Sequence, residues 1–92
     1  MREIQQNSQG LVMVEDGQEV AEIGFQPVDD HTIMIDHTYV SEQKRGQKLG
    51  DELVKAVVEM ARKDKKQIVP ECSFALAQFK RHEEYQDVWQ KE

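Results

Sequence analysis

Three cations and two glycines fall within the seven residues Lys44-Arg45-Gly46-Gln47-Lys48-Leu49-Gly50, just ahead of an apolar pattern of helical period. The first turn of a helix presents N–H groups without intrahelical partners and a partial positive charge from the helix dipole. Glycine there lets a phosphate approach the backbone without meeting a Cβ. Cations nearby add attraction for an anion, so the stretch reads as a diphosphate cradle. Gly46 and Gly50 could equally serve a tight turn and close packing of helix on sheet. The Gly-Lys-Ser/Thr ending of a P-loop is absent, as are the Gly-x-Gly-x-x-Gly spacing and acidic ribose ligand of a dinucleotide fingerprint.

The elements that must position this turn can be traced along the chain. Leu11-Val12-Met13-Val14 is a short apolar run, and Asp16-Gly17 follows it as a hairpin signal. The return strand is Glu19–Phe25, with Ala21, Ile23 and Phe25 on one face. Pro27-Val28-Asp29-Asp30 reads as a turn. A third strand over Thr32–Val40 places Ile33, Ile35 and His37 on one side. From Leu49 the apolar residues Leu49, Leu53, Ala56, Val57, Met60 and Ala61 follow helical spacing until about Asp64. Gln67–Cys72 is a short strand in which Pro70 needs a bulge or an unpaired edge position. Ser73 is placed to cap a second helix running from Phe74 to about Arg81. The polar tail from Glu83 carries Tyr85 and Trp89 and is expected to pack down. The resulting order β-β-β-α-β-α implies an α+β layered fold. It comprises a three-stranded antiparallel meander, a long helix, one right-handed crossover to a parallel strand, and a second short helix.

The chain has 92 residues, read as a single domain over 1–92, with a net charge of −6. That balance argues against nucleic acid, whose binders neutralise phosphates with a basic face. The single Cys72 cannot form an internal disulfide, which points to a reducing compartment. The first residues lack the apolar core of a signal peptide, and no apolar run approaches the roughly 20 residues of a membrane span. A cytoplasmic protein with no membrane partner is expected. No Cys/His cluster with ligand spacing is present, so no metal is expected; His31 and His82 look like surface residues.

The segment His37-Thr38-Tyr39-Val40-Ser41-Glu42-x-x-Arg45-Gly46-Gln47-x-Leu49-Gly50-x-x-Leu53-Val54 resembles the cofactor-binding motif of the GNAT N-acetyltransferases. Cys72-Ser73-Phe74-Ala75 and Glu84-Tyr85-Gln86-Asp87-Val88 resemble the short, single-domain branch of that superfamily. The resemblance implies acetyl-coenzyme A as co-substrate and a splayed sheet edge that admits its pantetheine arm. It implies backbone bonds to the arm near Val40, and a pyrophosphate held by Arg45, Gly46, Gln47, Lys48, Leu49 and Gly50, with Lys44 and Ser73 alongside. One position departs from the pattern, because Lys48 stands where the middle glycine of Arg/Gln-x-x-Gly-x-Gly/Ala belongs. A left-handed Lys48 would crowd a phosphate; a helical one would turn its amine outward to pair with it.

Acetyl transfer to an amine needs a deprotonated amine, a polarised thioester carbonyl and a proton for the departing thiolate. Cys72 could form an acetyl-enzyme if the helix starting at Ser73, or His37, lowers its pKa; the alternative is a small buried residue. His37 is a candidate general base or a satisfied core histidine. Tyr85 could protonate the coenzyme A thiolate or anchor the tail by its ring. The helices that usually cover the acceptor side of the family fold look to be missing here. That leaves an acceptor site which is open or completed by a second subunit, and it favours a protein amine. The competing expectation is a coenzyme A-binding module with little catalysis, acting as a sensor or interaction domain.

Overall fold

A computed structural model describes residues 2–91 of the chain. Its elements are β1 (Arg2–Asn7), β2 (Gly10–Glu15), β3 (Gln18–Asp29), β4 (Thr32–Val40), α1 (Leu49–Lys63), β5 (Gln67–Pro70) and α2 (Ser73–Arg81). Short 3₁₀ turns cover Glu42–Lys44 and Glu83–Val88. The strands form one sheet in chain order, antiparallel from β1 to β4, with β5 parallel to β4. The mixed α/β architecture and its single crossover match the sequence reading, and β1 adds a strand ahead of the meander. All six residues of β1 are exposed, so no apolar alternation marks it; pairing with β2 makes it a strand.

Asp16 and Gly17 both take positive φ (52° and 82°), the conformation required by a tight two-residue hairpin between β2 and β3. The turn expected at Pro27 is instead continuing strand, and β3 runs on to Asp29. Its register with β2 ends at Gly24↔Gly10, so Pro27 pairs only with β4 (Pro27↔Ile33). The missing N–H of Pro27 therefore removes no bond on the β2 side. Pro70 likewise lies on the edge strand, at the last residue of β5.

Helix α1 buries Leu49, Leu53, Val54, Val57, Val58 and Ala61 on one stripe. Asp51 and Glu52 occupy its first turn and Arg62 and Lys63 its last, each complementing the dipole. The stripe packs with Met13, Ile23, Ile35, Ile68 and Phe79 into one core cluster. Cys72, not Ser73, occupies the N-cap position of α2; Ser73 is already helical, and no side-chain cap bond forms. The tail does pack down: Tyr85 and Val88 are buried, Trp89 bridges to Ile68, and Gln90 N–H bonds the Ile68 carbonyl at 2.8 Å. Among the described residues, no helix is long and apolar enough to cross a membrane.

Candidate active site

The connection from β4 to α1 is held at its start by Ser41 N–H bonding the Val20 carbonyl at 2.8 Å. It then turns through Gly46 (φ 90°) and Lys48 (φ 62°, ψ 32°). The bond from Glu52 N–H to the Lys48 carbonyl (3.2 Å) opens the helical ladder. The amides of Leu49, Gly50 and Asp51 therefore stand ahead of it, at the positive end of a 15-residue helix. Of the two conformations open to Lys48, the structure takes the left-handed one. That costs a residue bearing a Cβ about 1–2 kcal/mol.

The two glycines serve different purposes. A Cβ on Gly46 would meet open space, so it is the positive φ that asks for glycine there. A Cβ on Gly50 would come within 2.9 Å of Phe74 Cζ, so this glycine allows α1 and α2 to approach. The packing alternative thus holds for Gly50, against a helix and not the sheet.

Val40, Lys44, Arg45 and Gly46 line one side of a groove of about 520 Å³; Lys48, Leu49, Gly50, Asp51 and Phe74 complete it. Lys44 is engaged in an ion pair with Glu15 (2.5 Å), and this contact is the main cause holding the Glu15 carboxyl below its ordinary range. Arg2 adds a second cation to Glu15 at 3.3 Å. Arg45 Nε donates to the Val40 carbonyl at 3.4 Å, folding its side chain over the exit of β4.

Beside the groove the sheet opens. Pairing of β4 with β5 stops at Ile35↔Pro70, after which the N–H groups of Glu71 and Cys72 both reach the Ile35 carbonyl (3.0 and 3.2 Å). Strand β4 continues to Val40 with no strand on that side among the described residues. A strand edge with unpaired backbone groups binds an extended ligand by main-chain hydrogen bonds. Thr38 lies on this open stretch, its Oγ1 3.6 Å from Cys72 Sγ. Val40, at the end of the open edge, and Leu49, Gly50 and Asp51, with their amides ahead of the helical ladder, line this one groove.

His37 does not sit where simple alternation puts it. The β3–β4 register passes from Gly24↔His37 to Phe25↔Ile35, so Asp36 is an extra residue and a bulge reverses the facing of the residues beyond it. His37 leaves the apolar side of Ile33 and Ile35 and is 51% exposed. It lies over Gly24, where a Cβ would strike its ring. Its Nε2 is 2.9 Å from Glu22 and its Nδ1 2.7 Å from Asp36. These contacts, Glu22 first, raise its pKa above the ordinary value.

Tyr85 lies elsewhere. It is buried against Phe79 and His82, with ring centroids 5.5 and 4.8 Å away. Burial, and then the charge of Glu84, raise its pKa. Arg62 fixes this tail through Asp87 (2.7 and 2.8 Å) and the Glu84 carbonyl (2.8 Å). The tail that carries Tyr85 is thus tied to the last turn of α1, while Cys72 leads into the Phe74–Gly50 contact at the first; the groove that Tyr85 lines runs along α1 from Lys48 to Arg62. The structure brings Cys72 and Thr38 together and gives Tyr85 the ring contacts of an aromatic anchor. Ser73 follows Cys72 at the head of α2. The sequence reading missed Thr38, Glu22 and Asp36, since their relation depends on the bulge and on where β5 ends. Among the described residues, no group of three or more His, Cys, Asp or Glu could hold a metal.

The sequence profile of the GCN5-related N-acetyl-transferase family matches residues 11–88, spanning the hairpin, the glycine turn and the tail. The chain belongs to this acetyltransferase family. Its fold is similar to the solution structure of a GCN5-like protein from Staphylococcus aureus, at 38% identity and a TM-score of 0.81, covering 98% of this chain and 89% of that one. The ribosomal-protein-S18-alanine N-acetyltransferase of Escherichia coli shares the fold at 18% identity and a TM-score of 0.65, over 83% of this chain and 53% of that one. The ribosomal-protein-alanine N-acetyltransferase of Brucella melitensis biovar Abortus 2308 does so at 20% identity and a TM-score of 0.63, over 95% and 66%. No curated protein matches the sequence. This chain spans about half to two thirds of the length of those two enzymes.

Proposed function

We propose that this GNAT chain binds acetyl-coenzyme A and transfers its acetyl group to an amine. The observation that carries the reading is the alignment of the open β4 edge with the amides of Leu49, Gly50 and Asp51 across one groove. The pantetheine arm pairs with the edge between Thr38 and Val40, and the diphosphate rests on the first turn of α1. Acetyl-coenzyme A supplies a thioester whose carbonyl carbon accepts a nucleophile.

Cys72 stands at the N-cap of α2, its Sγ 3.6 Å from Thr38 Oγ1 beside the open edge of β4. Its sulfur attacks the thioester carbonyl; the carbon–sulfur bond to coenzyme A breaks and the proton goes to the departing thiolate. Acetyl-Cys72 then passes its acetyl group to the amine, and the thiol is restored. His37, held by Glu22 and Asp36, has its base function moved to higher pH, and it lies on the uncovered face where an acceptor arrives. That openness favours a protein amine over an enclosed small molecule.

A second reading is a coenzyme A-binding module with little turnover, favoured by the left-handed Lys48 in the diphosphate turn. Intact-mass spectrometry after mixing with acetyl-coenzyme A separates the two. The enzyme reading expects one acetyl group on the wild type, none on Cys72→Ala, and coenzyme A release that an added peptide amine accelerates. Saturable binding with neither acetyl retention nor release supports the module, and no binding overturns both.

A further inference from the structure

A separate groove, of about 410 Å³, lies against β5, the edge strand of the sheet, and shares no lining residue with the cofactor groove. Val69, Pro70 and Leu76 give it apolar walls, Glu71 adds a carboxylate, and Trp89 and Lys91 bring an aromatic ring and an ammonium. The Trp89 ring is fixed from behind. It meets Phe79 edge-on, with centroids 5.9 Å apart at 72°, and its backbone is bridged to Ile68. Lys91 Nζ stands 4.6 Å from the centroid of the Trp89 ring, a cation–π contact. The protein thus lays one alkylammonium of its own on this aromatic face. The Glu71 carboxylate, by contrast, forms no ion pair among the described residues. An alkylammonium entering beside Trp89 therefore finds apolar walls for its methylene stem and an unused counter-charge for its head.

We propose that this groove binds a lysine side chain of the acceptor peptide, a residue flanking the amine that is acetylated; that role rests on the transfer reading above. The groove is joined to the reacting segment through the backbone. Glu71 immediately precedes Cys72, the N–H groups of both bond the Ile35 carbonyl, and the Leu76 N–H bonds the Cys72 carbonyl at 2.9 Å. A peptide anchored here by one lysine lies next to the segment that carries Cys72. Because the two grooves share no residue, peptide and acetyl-coenzyme A can be held together. The net charge of −6 favours the approach of a basic peptide over an acidic one. Lys91 is the built-in competitor, since its ammonium occupies the Trp89 face that the acceptor's lysine would take.

Trp89 is the single tryptophan of the chain, so its fluorescence reports on the groove directly. The wild type, Glu71→Gln, Lys91→Ala and a control, Lys63→Ala, are titrated with N-acetyl-lysine-methylamide and with its norleucine counterpart, which lacks the ammonium. All three positions are exposed, and circular dichroism checks that the variants keep the fold. The lysine derivative should change the emission saturably in the wild type and the control, and bind at least about threefold more tightly than the norleucine one. Glu71→Gln should weaken the lysine derivative about threefold, and Lys91→Ala should tighten it by a similar factor. Equal binding of the two derivatives, no saturable change, or an affinity that neither substitution moves overturns the groove assignment and leaves the cofactor reading intact. The acceptor role is read from coenzyme A release with two tripeptides, each with a free N-terminal amine, carrying trimethyl-lysine or norleucine at the second position. The trimethyl-lysine peptide should have the lower KM at similar kcat, and Glu71→Gln should shrink the difference. Equal KM values overturn the acceptor role. Failure of the wild type to transfer to either peptide overturns the transfer reading and the acceptor role with it, while the fluorescence titration still decides the groove.

Discussion

Gly50 and Phe74 meet so closely that a Cβ on the glycine would stand 2.9 Å from the phenyl Cζ. This contact joins the first turn of α1, with its unpaired amides, to the first turn of α2, next to Cys72. Gly50→Ala should therefore destabilise the fold by about 1–3 kcal/mol through overpacking. Phe74→Leu in the same background should recover part of that loss in thermal denaturation. A loss that Phe74→Leu leaves unchanged would show that the clash lies elsewhere.

Lys48→Gly removes the left-handed strain on a residue bearing a Cβ, and also gives the unfolded chain more freedom. The strain is the larger of the two effects, so the variant should gain about 0.5–1 kcal/mol in denaturant unfolding. Coenzyme A titration of the same variant then separates two roles of the lysine. Tighter binding marks the side chain as an obstruction, and weaker binding marks its amine as a phosphate contact.

His37 gives the fold a signed pH dependence. Its pKa is raised in the folded protein, so its contacts with Glu22 and Asp36 stabilise fully below the unfolded value of 6.5. The contribution fades as pH rises through the higher folded value. The melting-temperature gap between wild type and His37→Gln should therefore be wider near about pH 5.5 than near about pH 9. A gap that is constant, or that widens with pH, contradicts the assignment.

Cys72→Ala should abolish acetyl retention, whereas Thr38→Val should slow it and leave coenzyme A affinity within a factor of about two. Stopped-time intact-mass measurements read the first effect and calorimetry the second. Equal retention in wild type and Cys72→Ala would assign the acetyl group to another residue.

Much of this was legible in the residues themselves. Helix α1 was clear because its apolar stripe has a single period from Leu49 to Ala61, and β4 because Thr32–Val40 is β-rich between turn signals. Strand β1 was not, since Arg2–Asn7 faces solvent throughout and owes its shape to pairing with β2. The extension of β3 through Pro27 depends on β2 having already ended, which is a tertiary fact. The placement of His37 failed at a single extra residue, Asp36, because a bulge leaves no mark in the hydrophobic period. The glycine turn was read correctly as a turn into a helix. That Gly46 answers to backbone conformation and Gly50 to Phe74 required the packing of α2.

The central claim is that the cradle from Gly46 to Asp51 and the open edge of β4 bind one molecule of acetyl-coenzyme A. Titrating the isotopically labelled protein with acetyl-coenzyme A and monitoring its backbone amides by NMR tests this most directly. Saturable shifts should appear together at Thr38–Val40 and at Gly46–Asp51, with one common dissociation constant. Amides at these positions that stay unmoved at millimolar cofactor, or shifts that never saturate, would contradict it.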